Sequence, residues 1–284
     1  MKSFIVILLS LSTAVAWAIP QAPFDALNPS HLKVNVHGEN QDYDFEGIIK
    51  LSNCSGSLVL FNGMPTTAKA VVMTNGHCIQ KAGGFLSPGE VWVNKNISRA
   101  LKVFDKNMKL HSVQATKILY ATMTQTDVAF YELKETYDDI AAAFNVTPFA
   151  LDGVHPVIGQ SIDIVSGYWD RGYRCDIDSF IFAIREDAWT WSDSIRYTDT
   201  CDTIGGTSGS PLIARTERRV IGINNTSNED GKVCAMNNPC EVNEDGEVFA
   251  RQGVRYGQQT FNVYTCLTPD FKFDVTREGC TLPR

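Results

Sequence analysis

A histidine, an aspartate and a serine stand in that order at positions 77, 127 and 208, each in a segment of distinct character. His77 follows the apolar run Val71-Val72-Met73-Thr74 through Asn75-Gly76, and Cys78 comes directly after it. Asp127 opens the apolar stretch Asp127-Val128-Ala129-Phe130, and Ser208 lies within Gly205-Gly206-Thr207-Ser208-Gly209-Ser210-Pro211. Singly, each has an ordinary structural explanation: a histidine beside a cysteine packs, an aspartate at a strand start shapes a turn, and a Gly/Ser-rich stretch forms a loop. In this order they supply what acyl transfer to a serine needs, namely a weak nucleophile, a base to take its proton and a group that orients the base. The reaction also needs donors aimed at the oxyanion that develops. Gly206 lets the backbone turn its N–H inward, so the N–H groups of Gly206 and Ser208 form the candidate oxyanion hole.

The elements that must position these residues read as strands. β-branched and aromatic runs recur at Gly47–Leu51, Ser57–Phe61, Ala70–Thr74, Val91–Val93, Thr116–Tyr120, Val128–Leu133, Ser161–Val165, Ser179–Ala183 and Arg219–Ile223. They are bounded by turn clusters such as Asn62-Gly63 and Ser87-Pro88-Gly89. Only the neighbourhood of Asp138–Ala143 has helical character. The pattern predicts an all-β sandwich or barrel rather than alternating βαβ units.

At the segments around His77, Asp127 and Ser208 the chain resembles the chymotrypsin/trypsin family of serine endopeptidases. Asn75-Gly76-His77-Cys78, Asp127-Val128-Ala129-Phe130 and Gly206-Thr207-Ser208-Gly209-Ser210-Pro211 match that family's three signatures. Cys54-Ser55-Gly56-Ser57-Leu58 and Val220-Ile221-Gly222-Ile223 extend the likeness. The Gly-Ser-Pro ending looks nearer to bacterial glutamyl endopeptidases than to digestive trypsins.

The resemblance implies two packed antiparallel β-barrels with the active site in the cleft between them, over residues 45–145 and 146–265. It implies catalytic roles for His77, Asp127 and Ser208, and a disulfide between Cys54 and Cys78. It also places Asp202, six residues before Ser208, where trypsins carry the carboxylate that selects Arg or Lys. The competing reading, a glutamate-preferring pocket, is suggested by Thr203 and the Gly-Ser-Pro ending, although Asn224 stands where that branch has a histidine; cleavage after Arg or Lys is the expectation. Cys201 directly before Asp202, and Ser227 in place of a glycine at the pocket mouth, depart from the trypsin pattern. Thr207 occupies the position of the aspartate that receives a newly cut N-terminus in trypsin-like zymogens, so no switch of that kind is expected.

The remaining features bound where and on what the protein acts. Met1-Lys2-Ser3, the apolar Phe4–Leu11 and Ala16-Trp17-Ala18 describe a secretory signal peptide over residues 1–18. Residues 19–44 would be an N-terminal arm or propeptide, and residues 266–284 a disulfide-tied tail. Eight cysteines in an exported chain favour bridges over zinc ligation. Beyond the first pair the expected bridges are Cys175–Cys201, Cys234–Cys240 and Cys266–Cys280, with Cys201–Cys234 as a competitor. A net charge of −7 argues against tracking a phosphate backbone. The expectation is therefore a secreted, extracellular or periplasmic, trypsin-like peptidase with no cofactor or metal. Its partners would be protein or peptide substrates and protein inhibitors, with neither nucleic acid nor membrane once the signal is removed. The alternative is a catalytically inactive binding module on the same fold. An esterase of the α/β-hydrolase type is disfavoured by the order of the three residues and by Ser210 in place of the final glycine of its serine motif.

Overall fold

A computed structural model describes residues 43–215 and 217–284; the expected signal peptide over residues 1–18 and nearly all of the expected 19–44 arm lie outside the described residues. Fifteen strands dominate: β1 (Ile48–Lys50), β2 (Ser55–Leu60), β3 (Lys69–Thr74), β4 (Val91–Phe104), β5 (Leu110–Thr122), β6 (Val128–Thr136), β7 (Phe149–Leu151), β8 (Ser161–Ser166), β9 (Arg171–Glu186), β10 (Trp189–Tyr197), β11 (Pro211–Ala214), β12 (Arg219–Ser227), β13 (Cys240–Val242), β14 (Val248–Phe249) and β15 (Arg255–Gln259).

Their pairing closes two rings. β1, β4, β5, β6, β3 and β2 follow one another, and β2 pairs back onto β1. β12, β11, β8, β9, β10 and β15 do the same, with β15 returning to β12. Every pairing within either ring is antiparallel. β7 runs parallel to both β2 and β12 and so joins one barrel to the other. Closure leaves neither ring an unpaired edge.

The strands that carry the candidate residues are buried on both faces. In β3, Ala70 and Val72 point into one core cluster while Val71 and Met73 point into another, the alternation that a pleated strand imposes. A strand covered twice reads as a continuous apolar run, which is why this one is visible in the sequence. The second barrel is filled by Ile162, Ile164, Tyr173, Ile177, Ile195, Leu212 and Ile221. The one α-helix among the described residues, α1 (Tyr137–Phe144), starts at a reciprocal Thr136–Asp139 capping box and ends at Asn145 in the left-handed conformation.

Four disulfides join Cys54 to Cys78, Cys175 to Cys201, Cys234 to Cys240 and Cys266 to Cys280, so Cys201–Cys234 is not formed. The acidic Glu241–Gly246 stretch is a strand end and turn whose Glu241 carboxylate takes both its oxygens to Arg196. Among the described residues no helix is long and apolar enough to cross a membrane.

Candidate active site

β3 ends at the buried Thr74, the buried Asn75 follows, and a one-turn 3₁₀ segment, Gly76–Cys78, then turns the chain and presents His77. Gly76 is required by close approach: a Cβ there would lie 2.0 Å from the carbonyl oxygen of Thr122. Asp127 sits just ahead of β6 with a fully buried side chain, and three bonds join it to the histidine turn. The Asn75 Nδ2 donates to the Asp127 carbonyl at 2.8 Å, the His77 N–H to Oδ1 at 3.0 Å, and the His77 Nδ1–H to Oδ2 at 2.7 Å. Both carboxylate oxygens are thus used to hold the imidazole, whose side chain keeps 21% exposure. That fixes the tautomer with the proton on Nδ1 and leaves Nε2 able to accept.

Burial works against the charged imidazolium. The Asp127 charge and hydrogen bond outweigh it, with Glu186 adding to them, and His77 is held above the usual histidine value. His77 also lies near Cys54 and Cys78, but those sulfurs are joined to each other and offer no thiolate to a metal.

Ser208 lies in the loop before β11. Its carbonyl accepts the Ser55 N–H at 2.8 Å, and the Gly209 N–H donates to the Asn224 carbonyl at 3.0 Å, so the loop is bonded to both barrels. Gly209 has φ of 81°, and a Cβ there would stand 2.1 Å from the Ser55 carbonyl oxygen. Thr207 is fully buried and uncharged, and its Oγ1 accepts the Ile204 N–H at 3.4 Å. Gly206 has φ of 89°, and among the described residues neither its N–H nor that of Ser208 is taken by a backbone carbonyl. The Ser208 Oγ donates to the Asn225 carbonyl at 3.2 Å rather than to His77. Catalytic hydrogen bonds of this kind are commonly loose until substrate is bound.

One cleft brings His77, Asp127, Ser208, Thr203, Asn224 and Ser227 together. Two indoles of β10 hold its rim across the barrels: the Trp189 Nε1–H donates to the Leu86 carbonyl and the Trp191 Nε1–H to that of Met123, each at 2.9 Å. Asn224 and Asn225 are buried there, and the Oδ1 of each, with the Asn225 Nδ2, has no partner among the described residues.

Asp202 is not in the cleft. Its side chain is 75% exposed and pairs with Arg255, which also holds the Thr203 carbonyl at 2.9 Å. The buried Cys201 before it is bridged to Cys175 of β9, while the Asp202 carboxylate is held outside the cleft by its ion pair with Arg255. The expectation that Asp202 lies in a substrate pocket is corrected accordingly.

Besides Asp127, the carboxylates of Glu186 and Glu229 line the cleft, and Glu186 stands at the end of β9. It is 5% exposed and accepts the Thr226 Oγ1–H at 2.6 Å and the Asn237 N–H at 2.8 Å. Desolvation raises its carboxyl above the ordinary glutamate value, although both hydrogen bonds oppose the rise. No spacing rule marks Glu186 in the sequence. Its only local signal is a place in the Glu-Asp-Ala-Trp turn between two strands, where a glutamate is ordinarily a solvated turn residue.

Comparison with known proteins bears on these elements. No curated protein matches the chain. Solved structures with a distant likeness include the MamO protease domain from Magnetospirillum magneticum, at 13% identity and a TM-score of 0.46 over 76% of this chain and 92% of that one. A chymotrypsin of Cellulomonas bogoriensis shares 13% identity, at a TM-score of 0.40 over 76% and 90% of the two chains. A serine protease described as glutamic acid-specific shares 15%, at 0.40 over 75% and 91%. A family model for the trypsin-like peptidase domain matches residues 54–223. That stretch begins at the cysteine bridged to the histidine turn and ends in the strand behind the serine loop, and by it the chain belongs to the family of trypsin-like peptidase domains.

Proposed function

We propose that the chain is a serine endopeptidase, exported from the cell, that hydrolyses peptide bonds through an acyl-enzyme. The observation that carries this reading is the buried Asp127 carboxylate, which spends both oxygens on His77 at the mouth of a cleft that Ser208 also lines. The Ser208 Oγ attacks the scissile carbonyl carbon while the His77 Nε2 takes its proton. Asp127 stabilises the imidazolium and does not itself take the proton. The N–H groups of Gly206 and Ser208 donate to the oxyanion, and the carbon–nitrogen bond breaks as His77 passes the proton to the leaving amine. A water then attacks the acyl-serine, giving its proton to His77, and the serine is restored. The four disulfides support export, because such bridges persist in oxidising compartments.

The charge of the cleft supports peptides with basic side chains. Its lining holds the carboxylates of Asp127, Glu186 and Glu229 and no lysine or arginine. A buried carboxylate and the nearby faces of Trp189 and Phe85 suit a guanidinium or ammonium group. In this reading Glu186 takes the part that the sequence suggested for Asp202.

Cleavage of a peptide library by the purified, disulfide-bonded protein tests the proposal. Ser208→Ala is expected to reduce turnover by about 10⁶-fold, and His77→Ala nearly as much, since residues acting as a unit fail together. Cleavage that survives either change would remove the triad, and a wild-type protein that cleaves nothing would favour the inactive binding module.

A further inference from the structure

The turn between β8 and β9 carries Tyr168 and Trp169, neither of which lines the cleft. Trp169 is 46% exposed, so water could satisfy its indole. Its Nε1–H donates instead to the carbonyl of Gly205, at 2.7 Å, within the serine loop. The Gly205 carbonyl and the Gly206 N–H are the two ends of one peptide unit, and that unit is trans, so they point in opposite directions. Holding the oxygen on the Trp169 side therefore holds the N–H on the other.

The same two rings guard the glycine from behind. A Cβ on Gly206 would lie 2.8 Å from the Trp169 Nε1 and 2.9 Å from the Tyr168 Cδ1. The turn itself is anchored. The Tyr168 N–H donates to the Ser55 Oγ at 3.1 Å, that hydroxyl lies 2.9 Å from the Ser166 Oγ, and Asp170 pairs with Lys50 at 2.8 Å. Ser55 also binds the Ser208 carbonyl, so the two flanks of the serine loop are referenced to one residue.

We propose that Trp169 is a positioning residue of the oxyanion loop: its indole N–H keeps the Gly205 carbonyl turned away and so keeps the Gly206 N–H directed at the developing oxyanion. Without that bond the peptide is free to turn over, which would put a carbonyl oxygen where a donor is needed. The proposal rests on the peptidase reading above.

Trp169→Phe keeps an aromatic ring beside Tyr168 and removes the donor together with part of the indole's contact area, which the thermal midpoint monitors. With a peptide that the wild type cleaves, kcat is expected to fall about tenfold, short of the roughly hundredfold or greater loss when an oxyanion donor itself is removed. KM, the pH midpoint of the acidic limb and the thermal midpoint should stay at wild-type values, and the rate of Ser208 acylation by a fluorophosphonate should fall in step with kcat. An unchanged kcat would overturn the proposal while leaving the peptidase reading intact. So would a loss matched by a raised KM or a lowered thermal midpoint, since that marks packing rather than positioning. A wild-type protein without hydrolytic activity would overturn both.

Discussion

Glu186 and His77 influence each other through the cleft: the carboxylate favours the imidazolium, and the imidazolium favours the carboxylate. In the proposed mechanism His77 must be neutral to accept the proton from Ser208, so activity is expected to rise as pH passes upward through the His77 pKa, which stands above its ordinary value. Glu186 contributes to that elevation with its negative charge. Glu186→Gln removes the charge, and the acidic limb of the kcat/KM profile is expected to move to lower pH. The same variant should lose about tenfold or more in kcat/KM for peptides with Arg or Lys and far less for neutral ones, as expected when one partner of a desolvated charge pair is removed. A profile measured on one basic and one neutral peptide checks both effects. An unmoved limb would mean that Glu186 is screened from His77, and an equal loss on both peptides would remove it from substrate selection.

At the scale of elements, the histidine turn depends on clearance as much as on bonding. Gly76→Ala would drive a methyl into the Thr122 carbonyl, and the turn must move to relieve it. A displacement of about 1 Å at the base is expected to lower kcat/KM on the order of 10²-fold while the fold survives; wild-type kinetics in this variant would show that the turn adapts freely. The elements differ in how far they were legible from sequence. β2, β3 and β6, buried on both faces, stand out as apolar runs, and they frame His77 and Asp127. β9 was visible only over Ser179–Ala183 of Arg171–Glu186, and β10 and β15 were not visible, because Trp189–Tyr197 and Arg255–Gln259 mix polar residues into strands. Those are the strands that deliver Glu186, the cleft indoles and the Arg255 partner of Asp202. The place of Glu186 and the contact of Trp169 with Gly205 arise from chain segments far apart in sequence, and local pattern has no access to them. Asp202 shows the converse: its spacing from Ser208 is suggestive, but a partner 53 residues away, Arg255, takes its carboxylate outside the cleft.

Across the described residues, two closed barrels and a C-terminal segment pack together around the cleft. The segment past β15 returns to the first barrel, where Phe273 packs on Phe61, Tyr120 and Phe130, and the Tyr120 hydroxyl donates to the Pro283 carbonyl at 3.0 Å. Phe273 is 4% exposed, so Phe273→Ala is expected to cost about 3–5 kcal/mol of stability. Because Phe273 does not line the cleft, reactivity at low temperature should persist, and calorimetry paired with an activity assay separates the two. A large loss of activity without a loss of stability would place the tail in the chemistry instead. In the proposed mechanism Ser208 is a nucleophile activated by His77 and Asp127. Mass-spectrometric mapping of the adduct formed by a fluorophosphonate on the intact, disulfide-bonded protein tests this. A single adduct on Ser208, absent from His77→Ala and Ser208→Ala, is the predicted result; no adduct on the wild type, or one on Ser208 that persists undiminished in His77→Ala, would contradict it.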